Sequence, residues 1–317
     1  MSDVTSIHDL SQVKREFDIL LANLAKVLKE VRPRTNILNT KLGKIKKDLE
    51  NIEHLEKNEA AKVSEIVIKF NTINDIFKNN IEVNKKELVK IIEGKHDYKL
   101  DSNEGYNDSF FELSMALRFL LASKEARPRI NLDGECDVIV NDKIAIECKY
   151  IHSLSNIVKN IKKANNQIDK RIQNGQAKIG FIALDLSHIC PRDKVQEFAK
   201  YTFNRFLENY QYLEKKRKIS GDILDQILVD NNFKKIISSY IMTEIETALY
   251  GELGFSYDMG SNTLAIIFQS MNSFYFEHEG RAIPIISRGM TYFLNRNLNH
   301  ESAKKVEKYI HSLAVGI

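Results

Sequence analysis

Residues 135–149 read Glu135-Cys136-Asp137-Val138-Ile139-Val140-Asn141-Asp142-Lys143-Ile144-Ala145-Ile146-Glu147-Cys148-Lys149, two apolar runs separated by a polar tip. Side chains alternate between the two faces of a strand. Cys136, Val138 and Val140 therefore share one face of the first run, and Glu135 and Asp137 take the other. In the second run Ile144, Ile146 and Cys148 share a face, with Glu147 and Lys149 opposite. If both apolar sets meet one core, the connecting loop must hold an odd number of residues. A three-residue loop, Asn141-Asp142-Lys143, pairs Val140 with Ile144, Val138 with Ile146 and Asp137 with Glu147. Directly opposed residues have Cβ atoms about 4.5–5.5 Å apart, so the two carboxylates meet across the hairpin.

Two like charges about 4 Å apart repel by about 4 kcal/mol at an effective dielectric near 20, so the pairing calls for a cation between them. Mg²⁺, with Mn²⁺ as a substitute, suits the donors: a hard ion that takes oxygen ligands, often one or two carboxylates plus a substrate phosphate. Lys149 stands on the same face two residues on from Glu147. Its amine could orient or help deprotonate an attacking water, or offset charge that develops on a phosphoryl group. Asp137, Glu147 and Lys149 together thus suit phosphodiester hydrolysis. Glu-x-Lys alone is a weak signal, since it also occurs at Glu93–Lys95 and Glu214–Lys216. Only the central copy ends an apolar strand with an aspartate opposite. The competing reading is a cross-strand ion cluster of the same three side chains on a solvated sheet face.

Working outward, an amphipathic helix is expected over 107–124, with Phe110, Leu113, Leu117 and Leu121 on its buried side. Strands are expected over 127–132, 135–140 and 143–151, with Asp133-Gly134 as a tight turn. A helix over 155–173 and an apolar strand over 178–186 follow. Residues 192–249 read as helical, strands are expected at 263–269, 273–278 and 282–287, and a last helix spans 300–313. Helix, three strands, helix and strand predict an α/β sandwich around a mixed sheet.

The first hundred residues differ in character, with one proline, Pro33, and two glycines, Gly43 and Gly94. Leu10, Val13, Phe17, Leu20, Leu24, Val27 and Val31 keep three- and four-residue spacings, the stripe of one helix face. A second seam runs from Leu38 to Phe77, interrupted only by Glu56 and Glu59. Arg32-Pro33-Arg34 separates them, and proline predicts a kink or turn there. The expectation is two long helices that pair with each other or with a second copy, a coiled-coil-like arm over 1–100 for homodimerisation or docking a partner subunit, ahead of a second domain over 101–317.

The net charge is only +4, but residues 143–178 hold eight basic side chains against Glu147 and Asp169. That concentration suits a phosphate backbone. Three cysteines, Cys136, Cys148 and Cys190, without close Cys-x-x-Cys spacing argue against a disulfide framework or a structural zinc site. Residues 1–10 lack the pattern of a secretion signal, and no apolar run reaches the ~18 residues of a membrane span, so a soluble cytoplasmic protein without membrane contact is expected. No P-loop, dinucleotide-binding or nucleophile-elbow motif occurs, which disfavours intrinsic ATP hydrolysis and α/β-hydrolase chemistry.

Asp137 followed by Glu147-Cys148-Lys149, after an acidic helix and before a basic one, resembles the PD-(D/E)xK nuclease superfamily of restriction-endonuclease-like enzymes. The resemblance covers about residues 107–186. It implies an αβββαβ core, Mg²⁺ dependence and endonucleolytic cleavage of DNA, less often RNA, with Asp137 and Glu147 as metal ligands and Lys149 as the catalytic lysine. It also suggests a restriction or phage-defence setting. Cys136 stands where the superfamily has its proline. Glu112 matches a glutamate that such proteins carry on the preceding helix, although Ser109-Phe-Phe-Glu112 also reads as a capping box. Gln167 resembles the glutamine of a Gln-x-x-x-Tyr motif, with Arg171 at the tyrosine position. On that helix Ile157, Ile161, Ala164, Ile168 and Ile172 form the buried stripe, and Lys159, Lys163, Gln167 and Arg171 a neighbouring one. Lys159, Lys163, Lys170 and Arg171 are the candidates for backbone contact, or simply a solvated basic face. The rival from another class is a nonenzymatic nucleic-acid-binding scaffold with a degenerate nuclease fold. Asp185, His188 and Glu277-His278-Glu279 read as strand-end and hairpin-end residues.

Overall fold

The computed structural model describes residues 2–6, 10–79, 81, 83–95, 97–98, 105–122, 128–129, 138–254, 257, 259–279 and 281–313. Strands that read as near-continuous apolar runs suit the middle of a sheet covered on both faces. Three such runs lie side by side here: β4 (Ile144–Tyr150), β5 (Ile179–Asp185) and β6 (Thr263–His278), with β4 parallel to β5 and β5 parallel to β6. Every residue of β5 after Ile179 is buried.

Antiparallel strands extend the sheet on both sides. β3 (Val138–Val140) and β2 (Pro128–Arg129) continue it beyond β4. On the other side β7 (Arg281–Leu294) pairs along β6, and β1 (Ser2–Ser6) pairs with β7. The seven-stranded mixed sheet runs β1-β7-β6-β5-β4-β3-β2. The parallel neighbours need crossovers, and helices supply them. α7 (Ile157–Gln173) joins β4 to β5, while α8 (Arg192–Lys215), α9 (Ile223–Val229) and α10 (Asn231–Leu253) join β5 to β6.

Strand alternation sorts the core into two layers. Ala145, Ile182, Leu184, Ile266 and Phe268 face α7–α10. Ile146, Cys148, Phe181, Ala183 and Ile267 face the other layer. That layer holds α1 (Leu10–Val31), α2 (Lys41–Glu50), α3 (Lys57–Asn71), α4 (Asn74–Lys78), α5 (Lys85–Lys90), α6 (Tyr106–Ala122) and α11 (His300–Leu313). The α/β class, the mixed sheet and the N-terminal helices agree with expectation.

Four expectations are corrected. The seam from Leu38 to Phe77 is not one helix: α2 ends at Asn51, whose amide and side chain both bond the Lys47 carbonyl, and a 3₁₀ turn at Ile52–His54 precedes α3. Glu56 and Glu59, the two interruptions of the seam, fall at the N-cap and in the first turn of α3, where the helix dipole favours acidic groups. The first hundred residues are not wholly helical, because Ser2–Ser6 forms the edge strand β1. The runs 263–269 and 273–278 are one strand. Ser270 and Asn272 between them are buried but satisfied in part by each other, Asn272 Nδ2 donating to Ser270 Oγ at 2.7 Å. Finally, α6 begins at Tyr106, so Ser109 lies inside the helix and cannot be its cap.

The α1 seam packs within the chain: Phe17, Leu20, Leu24 and Val27 belong to one apolar cluster with Ile66 and Phe70 of α3, Phe110 of α6 and Phe181 of β5. Burying side chains of this size contributes roughly 1.5–3 kcal/mol each, so the helices of residues 10–90 are fastened to the sheet by hydrophobic contact.

Candidate functional site

The hairpin β3–β4 has the expected register, Val138 opposite Ile146 and Val140 opposite Ile144. Its tip turns at Asn141 and Asp142, with φ of 56° and 52°, and Lys143 N bonds the Val140 carbonyl at 3.1 Å. Asn and Asp tolerate that left-handed backbone better than other side chains, which explains a polar tip between apolar runs. Asp137, Cys136 and the Asp133-Gly134 turn lie outside the described residues.

On β4, Glu147 shares its face with Ala145, the face that α7 covers, and Ile146 and Cys148 face the other layer. The Glu147 side chain is wholly buried and that of Lys149 is 18% exposed. Lys149 Nζ donates to Glu147 Oε2 at 3.2 Å. A carboxylate is buried only when its charge is answered, and Lys149 answers it here.

α7 is held over this face by Ile157, Ile161, Ala164 and Ile168, all fully buried, with Ile172 partly buried beside them. The stripe matches expectation. At its far end Thr263 Oγ1 donates to Asn165 Oδ1 at 2.7 Å and Asn262 Nδ2 to Asp169 Oδ1 at 2.8 Å, which ties the helix to the start of β6. Gln167 is partly buried next to Ile168; Lys159, Lys163 and Lys170 are exposed. Arg171 Nη1 donates to Gln176 Oε1 at 2.6 Å, securing the chain just after the helix. Glu112 is partly exposed on α6, which packs on the opposite face of the sheet from Glu147. The helices thus bring Gln167 to the face of Glu147 and Lys149 and leave Glu112 on the other layer.

No family model, curated protein or solved structure matches this chain. Its chemistry rests on the side chains themselves.

Among the described residues no group of three or more His, Cys, Asp or Glu side chains is assembled to hold a metal ion. Mg²⁺ sites completed by substrate need only one or two protein carboxylates. Glu147, an oxygen donor beside an amine, fits that requirement. Among the described residues no helix is long and apolar enough to cross a membrane.

Asp185 and His188 behave as strand-end residues: Asp185 Oδ1 accepts from Ser187 N at 2.9 Å and Ser187 Oγ at 2.6 Å, closing a turn after β5. Glu277 and His278 end β6 at its hairpin with β7.

One feature escaped the sequence pattern. A cavity of about 110 Å³ opens on the layer opposite Glu147, between α3, α6, the ends of β4 and β5 and the middles of β6 and β7. Five basic and three acidic side chains line it. Arg118 interrupts the apolar run Met115-Ala-Leu-Arg-Phe-Leu-Leu121 of α6, and that interruption was the available signal.

Proposed function

We propose that this chain is a Mg²⁺-dependent endonuclease that hydrolyses DNA phosphodiester bonds at Glu147 and Lys149. The observation that carries the reading is the Lys149–Glu147 contact at 3.2 Å on a buried strand face, beneath a helix with exposed lysines. The order α6, β2, β3, β4, α7, β5, with β2–β3–β4 antiparallel and β5 parallel to β4, supports a restriction-endonuclease-like core. The reading takes Asp137, the residue before Val138 in sequence, as the second ligand.

Glu147 and Asp137 would hold the ion, with Mn²⁺ able to replace Mg²⁺. The bound ion supplies Lewis-acid stabilisation of charge on the phosphoryl oxygens. Lys149 would hold the attacking water by a hydrogen bond and offset negative charge as the phosphorus–oxygen bond breaks. Gln167 would orient a group at the same face, and Lys159, Lys163, Lys170 and Arg171 would take the phosphate backbone along α7. Glu112, on the opposite face of the sheet, takes no part in this reading. A restriction or phage-defence role accompanies the family resemblance alone.

The test is incubation of the purified chain with plasmid DNA and with RNA, each with Mg²⁺ or Mn²⁺, beside Glu147→Ala and Lys149→Ala. Metal-dependent cutting that both substitutions reduce at least a hundredfold is expected. Equal cutting by the variants would move the chemistry elsewhere, and cutting of RNA alone would make the enzyme a ribonuclease.

The complete burial of Glu147 favours a second reading, in which its pair with Lys149 only stabilises the fold of a nonenzymatic nucleic-acid-binding scaffold. Undiminished DNA binding without cutting under every metal condition would select it.

A further inference from the structure

Arg118 projects from α6 into the wall of the cavity on the far layer. Among the described residues its guanidinium donates from Nη1 to Met290 Sδ at 3.5 Å, and no carboxylate lies in ion-pair contact with it. Sulfur is a weak acceptor, so most of the five donors of this fork are left to the cavity. Burial, and then the charge of Arg288, hold the Arg118 pKa down to about 10, with Asp185 acting the other way. Two guanidiniums beside one another in a poorly solvated wall repel, and an anion between them reverses the sign of that interaction.

The acidic lining, three carboxylates against five basic side chains, answers only part of that charge. Asp185 spends Oδ1 on Ser187 and accepts from Gln269 Nε2 on Oδ2 at 2.9 Å. Glu65 is committed to Lys62 at 3.0 Å, to Arg192 at 3.7 Å and to the Ser273 hydroxyl at 2.6 Å. Because Asp185 fixes the Gln269 amide, Gln269 Oε1 is presented as an acceptor, buried and accepting no hydrogen bond among the described residues. Phe110 and Tyr150 add aromatic wall. Fork donors for a phosphate, a fixed acceptor for a hydroxyl or amine, and aromatic surface for a base are the parts of a nucleotide site.

We propose that this cavity binds a small phosphate-bearing ligand of the nucleotide class, with Arg118 and Arg288 on the phosphate and Gln269 Oε1 on a ribose or base donor. The site is separate from Glu147 and Lys149 and does not depend on the nuclease reading.

Calorimetric titration with AMP, inorganic phosphate and adenosine, paired with thermal melting, tests it. AMP and phosphate are expected to bind and raise Tm, and adenosine to bind at least tenfold more weakly than AMP. Arg118→Met should weaken AMP at least tenfold without lowering the Tm of the ligand-free protein, because it removes a repulsive charge. Arg288→Met should weaken AMP at least tenfold as well should Arg118→Met fail to fold. Absence of binding by AMP and phosphate, equal binding by adenosine, or unchanged affinity in folded arginine variants would overturn the proposal. So would a 5′-phosphorylated oligonucleotide that binds more tightly than AMP through Arg118, since the occupant would then be nucleic acid.

Discussion

Lys149 Nζ and Glu147 Oε2 meet at 3.2 Å although their Cα atoms are two residues apart on one strand face, the carboxylate sealed from solvent and the amine partly open to it. That asymmetry makes the amine the accessible half of the pair and the carboxylate the half that cannot survive alone. Lys149→Met should therefore destabilise the protein by about 3 kcal/mol, because it removes a charge-assisted contact from a fully buried carboxylate. Adding Glu147→Gln should recover at least about 1 kcal/mol. Urea unfolding of both single variants and the double variant measures the coupling; strict additivity would show that the two side chains do not support each other.

The hairpin tip makes a second, local prediction. Asp142 has φ of 52°, which a β-branched residue adopts only with strain and glycine adopts freely. Asp142→Val should cost about 1–2 kcal/mol, and Asp142→Gly should leave stability within about 1 kcal/mol of the wild type. Thermal melts of the two variants give the comparison, and a tolerant Asp142→Val would contradict the turn.

Gly180 marks a close approach of β5 to α7. A Cβ there would stand 2.3 Å from Ile168 Cγ2, a stiff branched side chain that is fully buried. Gly180→Ala should lower stability by about 1–3 kcal/mol through overpacking. Ile168→Ala in the same chain removes the clashing methyl, so the double variant should lose less than the sum of the singles in denaturant unfolding.

Glu65 predicts an acid limb of stability. Burial opposes its charge, but Lys62, Arg192 and the Ser273 hydroxyl outweigh that and hold its pKa down to about 2 from 4.5. A carboxylate depressed on folding stabilises above its unfolded pKa, and the contribution fades as pH falls from about 4.5 to about 2. The shift is worth on the order of 3 kcal/mol. The stability gap between wild type and Glu65→Gln should therefore be largest at neutral pH and shrink by about that amount at pH 2, followed by urea titration across the range. A gap independent of pH would remove the charge from the account.

The periodicity of short elements was legible because it depends on local geometry alone. Alternation in 138–140 and 144–150 set the faces of β3 and β4, and parity then set the loop and the Val138–Ile146 pairing that the fold contains. The Ile157–Ile168 stripe likewise placed α7 on its layer. The Glu147–Lys149 half of the candidate site followed from the same alternation.

Tertiary structure decided the rest, because it depends on contacts between residues far apart in sequence. A heptad-like seam from Leu38 to Phe77 looks the same whether it zips to another chain or wraps a sheet; here Ile66 and Phe70 join α1, α6 and β5, and the helix breaks at Asn51 to follow that surface. Ser2–Ser6 carries no strand pattern of its own and becomes β1 because β7 offers it an open edge. Arg118, Gln269 and Arg288 come together only because the fold sets α6 on one wall of a cavity that the middles of β6 and β7, more than 150 residues away in sequence, also line. Local alternation chooses which way a side chain points; only the folded chain chooses what it meets there.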